Sequence, residues 1–333
     1  MRRWRYYWSR LRRMNFGNMV REAREIGCKI GRPWWVIYLD MIYCSLVYQA
    51  GYSDYYEYEF YRMRRAQRRT YITVGINDKL VKRFNQRDYC HWLDNKADFN
   101  ERFARYIRRD FLNLYTASQD DFSAFVAKHP RFIAKPQCDY AGRGVELVDF
   151  SAYPDLYTLR QRLMAKNQFL VEERIVQHPA MSALYPGSVN TVRLITFFDG
   201  ADVHLLRAVL KAGNGKVTDN FSAGGMYAIL DDRGVGQTSA IDKNGLTYER
   251  HPLTGVRFPG FRVPLFSEAL RMVAQASREI PQVQYIGWDV AITPDGPVVV
   301  EANQSSGAFQ PKASLCSGLI CGDLPTYKLY MKF

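Results

Sequence analysis

The segment that constrains the fold most is a strand–turn–strand pattern near the end of the chain. Residues 289–293 and 298–301 are largely apolar runs on either side of a Pro-Asp-Gly turn. In an antiparallel hairpin the residues farthest from the turn face each other, so Asp289 and Glu301 come together. Asn303 lies two residues after Glu301 and projects from the same face. The pattern therefore predicts a hairpin with three oxygen-bearing side chains on one face.

This face of the hairpin has the chemistry of a divalent metal site. Mg²⁺ usually binds one or two carboxylates together with waters and nucleotide phosphates. The apolar run before Glu301 favours burial, and a buried carboxylate needs a cation or another partner. The alternative is an ordinary hairpin whose polar side chains face solvent. We therefore predict a Mg²⁺ site formed by Asp289, Glu301 and Asn303.

A second pattern joins an apolar strand, residues 131–135, to a glycine-containing loop. Lys135 ends the strand, and the loop that follows contains Gly142, Arg143 and Gly144. Glycines let backbone N–H groups approach phosphate oxygens, and Arg143 adds a cation to the loop. The loop is neither a Walker A sequence nor a G-x-G-x-x-G fingerprint, and alone it is typical of a simple turn. Together with the acidic hairpin it indicates phosphate binding.

Two further segments each allow a functional and a structural interpretation. Residues 169–175 form an apolar run that leads into Glu172 and Glu173, which suits either an adenine-binding connection or a strand end with solvated charges. Arg193, Arg207 and Lys211 lie in or beside apolar strands, where a cation is costly unless it is paired. They either neutralise a triphosphate and an acyl phosphate or carboxylate, or pair with nearby Asp and Glu.

The rest of the chain indicates an α+β protein. Residues 1–70 and 77–110 are predicted to be mostly helical, and strands mixed with helices follow after about residue 116. The predicted strands are 131–135, 145–150, 168–172, 191–198, 204–211, 226–230, 289–293 and 298–301, with helices at 156–166 and 267–277. We expect a helical region at 1–75, linker helices and a small lobe at 76–175, and a large lobe at 176–333.

The net charge is +13, from 46 Lys and Arg against 33 Asp and Glu, and +9 of it lies in the first 70 residues. The motifs lie outside that region, so we expect no nucleic-acid partner. Residues 1–31 are interpreted as a helical cap or as a peripheral contact with an anionic membrane. Residues 34–50 are short for a transmembrane span and predict a buried helix.

Cysteine spacing and the start of the chain bear on localisation. None of the six cysteines forms a C-x-x-C pair, which disfavours a zinc site and fits free thiols in a reducing compartment. No uninterrupted apolar segment with a cleavage site follows the first basic residues, so a signal peptide is not expected. The predicted location is the cytoplasm, with the inner face of the membrane as the alternative.

Taken in order, the motifs resemble the ATP-grasp superfamily, and most closely the sugar-transfer-associated ATP-grasp proteins. The resemblance covers about residues 90–312. The closer match rests on the phrases SVNTVR, DNFSAGG, HPLTG and IGWDVAITPDG-PVVVEAN. The ordered motifs are Lys96 in a DNK-x-x-F helix, Lys135-Pro136, Gly142-Arg143-Gly144, Glu172-Glu173, Asn190-Thr191-Val192-Arg193, Asn220-Phe221-Ser222-Ala223-Gly224-Gly225, Asp289 and Glu301-Ala302-Asn303.

The resemblance implies an ATP-grasp fold, two α+β lobes that hold ATP, here preceded by a helical region where many relatives have a βαβ-type domain. It also implies functional roles for particular residues. Arg193, Arg207 and Lys211 would serve catalysis, with Arg193 facing the phosphate or the acyl acceptor. Asp289, Glu301 and Asn303 would bind Mg²⁺. The implied nucleotide-binding residues are Lys96 and Lys135 at the phosphates, Gly142, Arg143, Gly144 and Val145 in a lid loop, Glu172 and Glu173 at adenine and ribose, and also Asn190 and Asn220.

The resemblance further implies ATP and Mg²⁺ as cofactors and a ligase reaction. A carboxylate would be activated as an acyl phosphate and captured by an amine, in polysaccharide or small-molecule biosynthesis. The alternative is a phosphotransferase acting on a sugar or another hydroxyl acceptor. A sugar-linked substrate is one option, and the sequence leaves the carboxylate, the acceptor and the oligomeric state open.

Overall fold

The computed structural model describes residues 16–136, 144–306, 309–316 and 321–333. The chain divides into two compact units, Met1–Leu80 with Gly307–Phe333, and Val81–Ser306. Among the described residues, no helix combines the length and the apolar character needed to cross a membrane. The predicted α+β class is confirmed, because helices and two β-sheets both contribute to the fold.

The helices and strands are numbered in chain order. The helices are α1 (Phe16–Ile30), α2 (Trp34–Val47), α3 (Tyr52–Glu57), α4 (Arg65–Arg68), α5 (Val74–Phe84), α6 (Arg87–Asp94), α7 (Lys96–Arg102), α8 (Ala104–Ile107), α9 (Gln119–Lys128), α10 (Leu156–Ala165), α11 (Pro179–Leu184), α12 (Phe266–Arg278) and α13 (Leu324–Tyr330). The strands are β1 (Phe111–Asn113), β2 (Arg131–Lys135), β3 (Glu146–Asp149), β4 (Leu170–Glu173), β5 (Thr191–Phe198), β6 (Val203–Ala212), β7 (Met226–Leu230), β8 (Ala240–Asp242), β9 (Thr247–Tyr248), β10 (Tyr285–Thr293) and β11 (Gly296–Asn303).

The first unit is built on the helices α1 and α2. The chain turns between them at Gly31, which adopts φ +66° and so uses the left-handed conformation that glycine tolerates best. Inside the unit, Asp40 of α2 accepts hydrogen bonds from both terminal nitrogens of Arg68, at 2.8 and 2.7 Å. The hydroxyl of Tyr55 donates to the same carboxylate at 2.7 Å. This ionic contact holds α2 to the end of α4 and to α3.

The structure changes the sequence interpretation of α2. The helix buries Ile37, Met41 and Cys44 in the core of the unit but leaves an apolar face on the opposite side in solvent. The expected fully buried helix is therefore only half buried. An apolar composition all around a helix does not reveal which of its faces finds a packing partner.

The second unit contains a small antiparallel sheet in the order β1-β4-β2-β3. Alternate residues of β2 separate its two faces: Phe132 and Ala134 join the core formed with α9 and α10, whereas Ile133 and Lys135 lie on the other face. Ile133 is paired with Leu147 of β3 and with Glu172 of β4. The face that carries Lys135 and Glu172 is thus free of the small core and available for a site.

The large sheet has the order β11-β10-β5-β6-β7-β8-β9, with every paired neighbour antiparallel. Helix α12 packs its apolar side, including Ala269 and Val273, into the main core together with Trp288 of β10. The hairpin predicted from the Pro-Asp-Gly turn is confirmed, since β10 and β11 pair with Asp289 opposite Glu301. Asp289 also pairs with Arg193 of β5. The three strands at this edge of the sheet, β11, β10 and β5, therefore bring together acidic and basic residues that are far apart in the sequence.

Candidate functional site

A cavity of about 390 Å³ lies between the small sheet and the large sheet of the second unit. Its walls include Ile133 and Leu147 from the small sheet, and Lys211 and Asp289 from the large sheet. The connection from β4 to α11 contributes residues 174–177. The cavity has an apolar part and a charged part.

The apolar part suits a flat, weakly polar ring. Ile133, Leu147 and Val217 contribute aliphatic side chains, and Val145, just after the described end of the glycine loop, lies with them. Pockets of this kind bind planar rings through apolar contacts, while a few backbone polar groups determine orientation. Residues 174–177 place such backbone groups along the wall.

Lys135 does not stand alone in the charged part of the cavity. Its ammonium lies 2.6 Å from Glu172 Oε1, and Arg109 Nε donates to Glu172 Oε2 at 3.1 Å. Asn100 Nδ2 donates to Glu172 Oε1 at 2.5 Å. Burial raises the pKa of Glu172, but Arg109 and Lys135 outweigh it and lower that pKa to about 2. Burial lowers the pKa of Lys135, and Glu172 offsets part of this effect.

The structure thus places Glu172 differently from Glu173. Glu172 is buried beneath Lys135, and its oxygens are engaged by three side chains. Both glutamates line the cavity, but Glu173 has a different partner, since its Oε2 accepts a hydrogen bond at 3.1 Å from the backbone N–H of Asp110. Successive strand residues point to opposite faces, which is why neighbouring glutamates meet different partners.

A second ionic group surrounds Asp289. Arg193 donates to both carboxylate oxygens, from Nε at 2.6 Å and from a terminal nitrogen at 2.8 Å. Lys211 Nζ lies 3.2 Å from Asp289 Oδ2 and 3.3 Å from Asp219 Oδ1. All four side chains are buried. Burial raises the pKa of Asp289, but the attraction of Arg193 and Lys211 is stronger and holds it below its usual range.

Glu301 brings a third carboxylate to this group and also lies within the electrostatic reach of Lys135. The cations Arg193 and Lys211 face three carboxylates, those of Asp219, Asp289 and Glu301. Burial and the neighbouring Asp289 raise the pKa of Glu301. A buried carboxylate in this position gains most from an additional cation.

The amide of Asn303 is the third member of the predicted metal set. Among the described residues, its buried Nδ2 atom has no hydrogen-bond partner. An amide can present either its nitrogen or its oxygen at the same place, because the two ends are nearly equal in shape. The residues Asp289, Glu301 and Asn303 therefore offer two carboxylates and one amide, a donor set that fits a hard divalent cation.

A second cavity, of about 270 Å³, adjoins this charged part. It shares Lys96, Lys135 and Glu301 with the first cavity. Its remaining lining comes mainly from α6, α7 and the end of β11 and includes Asp94 and Asn100. The charged residues therefore lie between an apolar pocket on one side and a polar pocket on the other.

Five of the predicted residues that the structure describes lie outside the wall of the first cavity, namely Gly144, Asn190, Arg193, Arg207 and Asn303. Asn190 is fully buried and donates to the carbonyls of Met181 and Tyr185 at 2.8 and 2.7 Å, and its Oδ1 accepts from Gly213 N–H at 3.2 Å. Arg207 lies on the same face of β6 as Lys211, four residues away, and is absent from the described lining of the cavity. Asn220 does line the cavity.

Part of the predicted lid loop lies outside the described residues, namely Gly142 and Arg143. Gly144 is described and has φ +68°, and a Cβ atom there would meet Pro136 Cγ at 2.8 Å. Its carbonyl accepts a hydrogen bond of 2.8 Å from Gln168. The end of the loop is thus anchored at a position that favours glycine for conformation and for space.

Sequence reasoning missed Arg109 and Asp219 as members of the site. Arg109 precedes β1, and the pairing of Phe111 with Glu172 brings it to the carboxylate. Asp219 accepts from the backbone N–H of Thr191 at 2.9 Å while facing Lys211. Lys211, a lysine in an apolar strand, indicated that an acidic partner lies nearby, but the sequence did not identify Asp219 as that partner.

A family model described as sugar-transfer associated ATP-grasp matches residues 75–315. A comparison with curated proteins found no match. Among solved structures, the ATP-grasp ligase PsnB complexed with its minimal precursor is 13% identical, with a TM-score of 0.43, and the match covers 74% of this chain and 62% of that one. D-cycloserine synthetase DcsG is 15% identical, with a TM-score of 0.40, and the match covers 65% and 64%.

D-alanine–D-alanine ligase from Bacillus anthracis is 12% identical, with a TM-score of 0.40, and the match covers 69% of this chain and 63% of that one. The match to this chain thus covers a little over three fifths of each of these structures. The family model covers well over half of this chain and confirms the resemblance carried by the motifs. The chain belongs to the sugar-transfer associated ATP-grasp family.

Proposed function

We propose that this protein is an ATP- and Mg²⁺-dependent ligase that joins a carboxylate to an amine through an acyl phosphate. The observation that carries the proposal is the charged wall shared by the two cavities. Lys135 and Glu301 border both cavities, and Lys211 and Asp289 lie in the first one beside them. A phosphoryl group passing between two substrates needs this arrangement of cations and carboxylates between their sites.

The first cavity would hold the nucleotide. The apolar part, with Ile133 and Leu147, would pack on adenine, and residues 173–176 would offer backbone groups to the base and the ribose. Lys135 and Lys96 would contact the phosphates from the charged part. Glu172 forms an ion pair with Lys135, so it would position Lys135 and would not itself contact the nucleotide.

Asp289, Glu301 and Asn303 would hold Mg²⁺ where the two cavities adjoin, since Asp289 lines the first, Asn303 the second and Glu301 both. When bound, Mg²⁺ supplies charge neutralisation at the phosphate oxygens and orients them for transfer. Arg193 donates to Asp289 on both oxygens and to the carbonyl of Ser306 at 2.9 Å. Its role would therefore be to position Asp289. Lys211 lines the cavity and would stabilise the transferring phosphoryl group directly.

The reaction would proceed in two balanced steps. A carboxylate oxygen of the substrate attacks the γ-phosphorus of ATP, ADP leaves, and an acyl phosphate forms. The amine nitrogen attacks the acyl carbon, phosphate leaves, and the nitrogen loses a proton to give the amide. Lys135 and Lys211 would stabilise the negative charge in the first step, and the closed cavity would exclude water from the acyl phosphate.

The second cavity would receive the substrates that react with ATP. It adjoins the proposed phosphate contacts Lys96 and Lys135. Asn100 Oδ1 is buried there without a hydrogen-bond partner among the described residues, and Asp94 provides a carboxylate, which Gln304 Nε2 holds at 2.9 Å. An unsatisfied acceptor and a carboxylate favour donors such as an ammonium or a hydroxyl group. The volume of about 270 Å³ favours compact molecules.

The proposal is tested by measuring ATP-dependent phosphate release in the presence of single amino acids and amino sugars. We expect ADP and free phosphate in equal amounts, together with a condensation product detected by mass spectrometry. A phosphorylated acceptor without free phosphate would identify a phosphotransferase instead. Turnover restricted to large acceptors would contradict the assignment of the second cavity, and no ATP consumption under any condition would contradict the proposed function.

Asn190 and Asn220 form a matched pair that separates structural from nucleotide contacts. Asn190→Ala removes the acceptor of the Gly213 N–H and one donor each from the carbonyls of Met181 and Tyr185, of which Tyr185 keeps Gln177 Nε2. We therefore expect the free energy of unfolding to fall by about 2–3 kcal/mol with little change in the KM for ATP. Asn220→Ala should raise the KM for ATP about threefold to tenfold and leave stability unchanged. Urea unfolding and steady-state kinetics measure both effects, and the reverse pattern would contradict the two assignments.

A further inference from the structure

The outer face of α2 carries an apolar stripe that lies outside the core formed by the described residues of its unit. Trp35, Leu39, Leu46 and Val47 are each between 46 and 56% exposed. Their spacing places them on one side of the helix, together with the half-exposed Tyr43. Single exposed apolar residues are ordinary on protein surfaces, but a continuous stripe of this length marks an interaction surface.

The stripe is held on a rigid support. The opposite side of α2 contributes Ile37, Met41 and Cys44 to the core, and Asp40 is fixed by Arg68 and Tyr55. The outward residues are therefore not needed to fold the unit. They remain presented in a fixed orientation, as a surface that binds a partner should be.

Two arginines lie over aromatic rings of α2, one over Tyr43 in the stripe and the other over Trp34, which precedes the stripe residue Trp35. The guanidinium of Arg24 lies over the ring of Trp34, 5.5 Å from its centroid, and that of Arg65 lies over the ring of Tyr43 at 5.7 Å. Asp40 is the single acidic residue within α2, and it faces Arg68. The stripe thus combines aromatic and aliphatic groups with a positively charged border.

We propose that the outer face of α2 docks on the surface of an anionic phospholipid bilayer. Tryptophan and tyrosine favour the boundary between headgroups and acyl chains, and leucine and valine gain free energy by leaving water. Arg24 and Arg65 would meet the phosphate groups of the lipids. The charged border argues against a second copy of the chain, because a symmetric contact through this face would bring like charges together. The surface belongs to the described residues 34–47 and is distinct from the basic segment before residue 16.

The test is flotation of the full-length protein with phosphatidylcholine vesicles that either contain or lack phosphatidylglycerol. We expect binding to the anionic vesicles, and binding about tenfold weaker for the double variant Leu39→Ser/Leu46→Ser, whose charge is unchanged. The double variant Arg24→Gln/Arg65→Gln should bind about fivefold more weakly for each arginine removed. The matched control is Leu246→Ser/Leu253→Ser, two exposed leucines of the second unit, which should bind like the wild type.

Three outcomes would overturn the proposal. The first is the absence of binding to either kind of vesicle, and the second is unchanged binding by the Leu39→Ser/Leu46→Ser variant. The third is a wild-type dimer that the same variant converts to a monomer without any vesicle binding, which would assign the stripe to self-association. Circular dichroism of each variant establishes that it is folded, and the arginine variant tests the same surface without altering an apolar residue.

Discussion

Glu301→Gln should reduce ATP turnover by at least about 100-fold while leaving the protein at least as stable as the wild type. The substitution removes a proposed Mg²⁺ ligand from a group in which three carboxylates face two cations. In the metal-free protein that removal relieves repulsion from Asp289, whose proximity helps to raise the pKa of Glu301. ATP turnover should therefore fall without any loss of stability.

The measurements for this prediction are ATP consumption and thermal unfolding with and without Mg²⁺ and ADP. The wild type should gain thermal stability from the two together, and the variant should gain much less. Asp295→Asn, in the exposed turn of the same hairpin, is the matched control and should behave like the wild type. Wild-type activity in the Glu301 variant would refute the metal assignment, whereas unfolding of the variant would assign Glu301 to the core of the sheet.

Glu172→Gln should mainly reduce stability, whereas Lys135→Met should mainly reduce ATP turnover, although the two side chains are in contact. Glu172→Gln leaves Lys135 and Arg109 buried without their carboxylate, and we expect the free energy of unfolding to fall by about 3–5 kcal/mol. Lys135→Met leaves Glu172 paired with Arg109, and burial already disfavours the charge of Lys135. We therefore expect a stability change within about 1 kcal/mol but a loss of ATP turnover of at least about 100-fold.

The pH dependence of stability gives an independent readout of Glu172. Its pKa falls from the ordinary value of 4.5 to about 2, so the folded state binds this proton less readily than the unfolded chain. The corresponding stabilisation, about 3 kcal/mol, is complete above the unfolded pKa and is lost as the pH falls through the folded value. Each unit of pKa difference corresponds to ~1.4 kcal/mol of stability. In urea unfolding between pH 6 and pH 2, Glu172→Gln should therefore lose less stability on acidification than the wild type. An identical acid profile in both proteins would contradict the ionic assignment.

Local patterns predicted the strands of the lobes well. The runs at 131–135, 191–198 and 226–230 match β2, β5 and β7, since alternating or continuous apolar residues bounded by turn residues determine short strands locally. The hairpin of β10 and β11 was predicted, but its turn does not by itself place Asp289 opposite Glu301. The register shifts between Asp289 and Val290, and without this bulge Val300 would face Asp289. The beginning of β10, from Tyr285, was missed because its apolar residues continue without a turn signal.

Elements stabilised mainly by distant contacts were not predicted. Strand β1 has only three residues and exists because it pairs with β4. Helix α9 was also missed, although its signal is local, because the Ser118 side chain caps the helix by accepting a hydrogen bond from the backbone N–H of Asp121. The partners of buried charges were missed for a similar reason, as with Arg109, which reaches Glu172 through the pairing of β1 with β4.

The sequence by itself determined the family, the order of the motifs and the hairpin that carries Asp289 and Glu301. These features depend on local spacing: alternation on strands, glycine in a loop and a tight turn. Only the tertiary structure decided which acid each buried cation faces, and that Asn190 serves the fold while Asn220 lines the cavity. It also decided that one face of α2 stays in solvent. The physical reason is that burial and ion pairing depend on neighbours brought together by the whole chain, which local sequence does not specify.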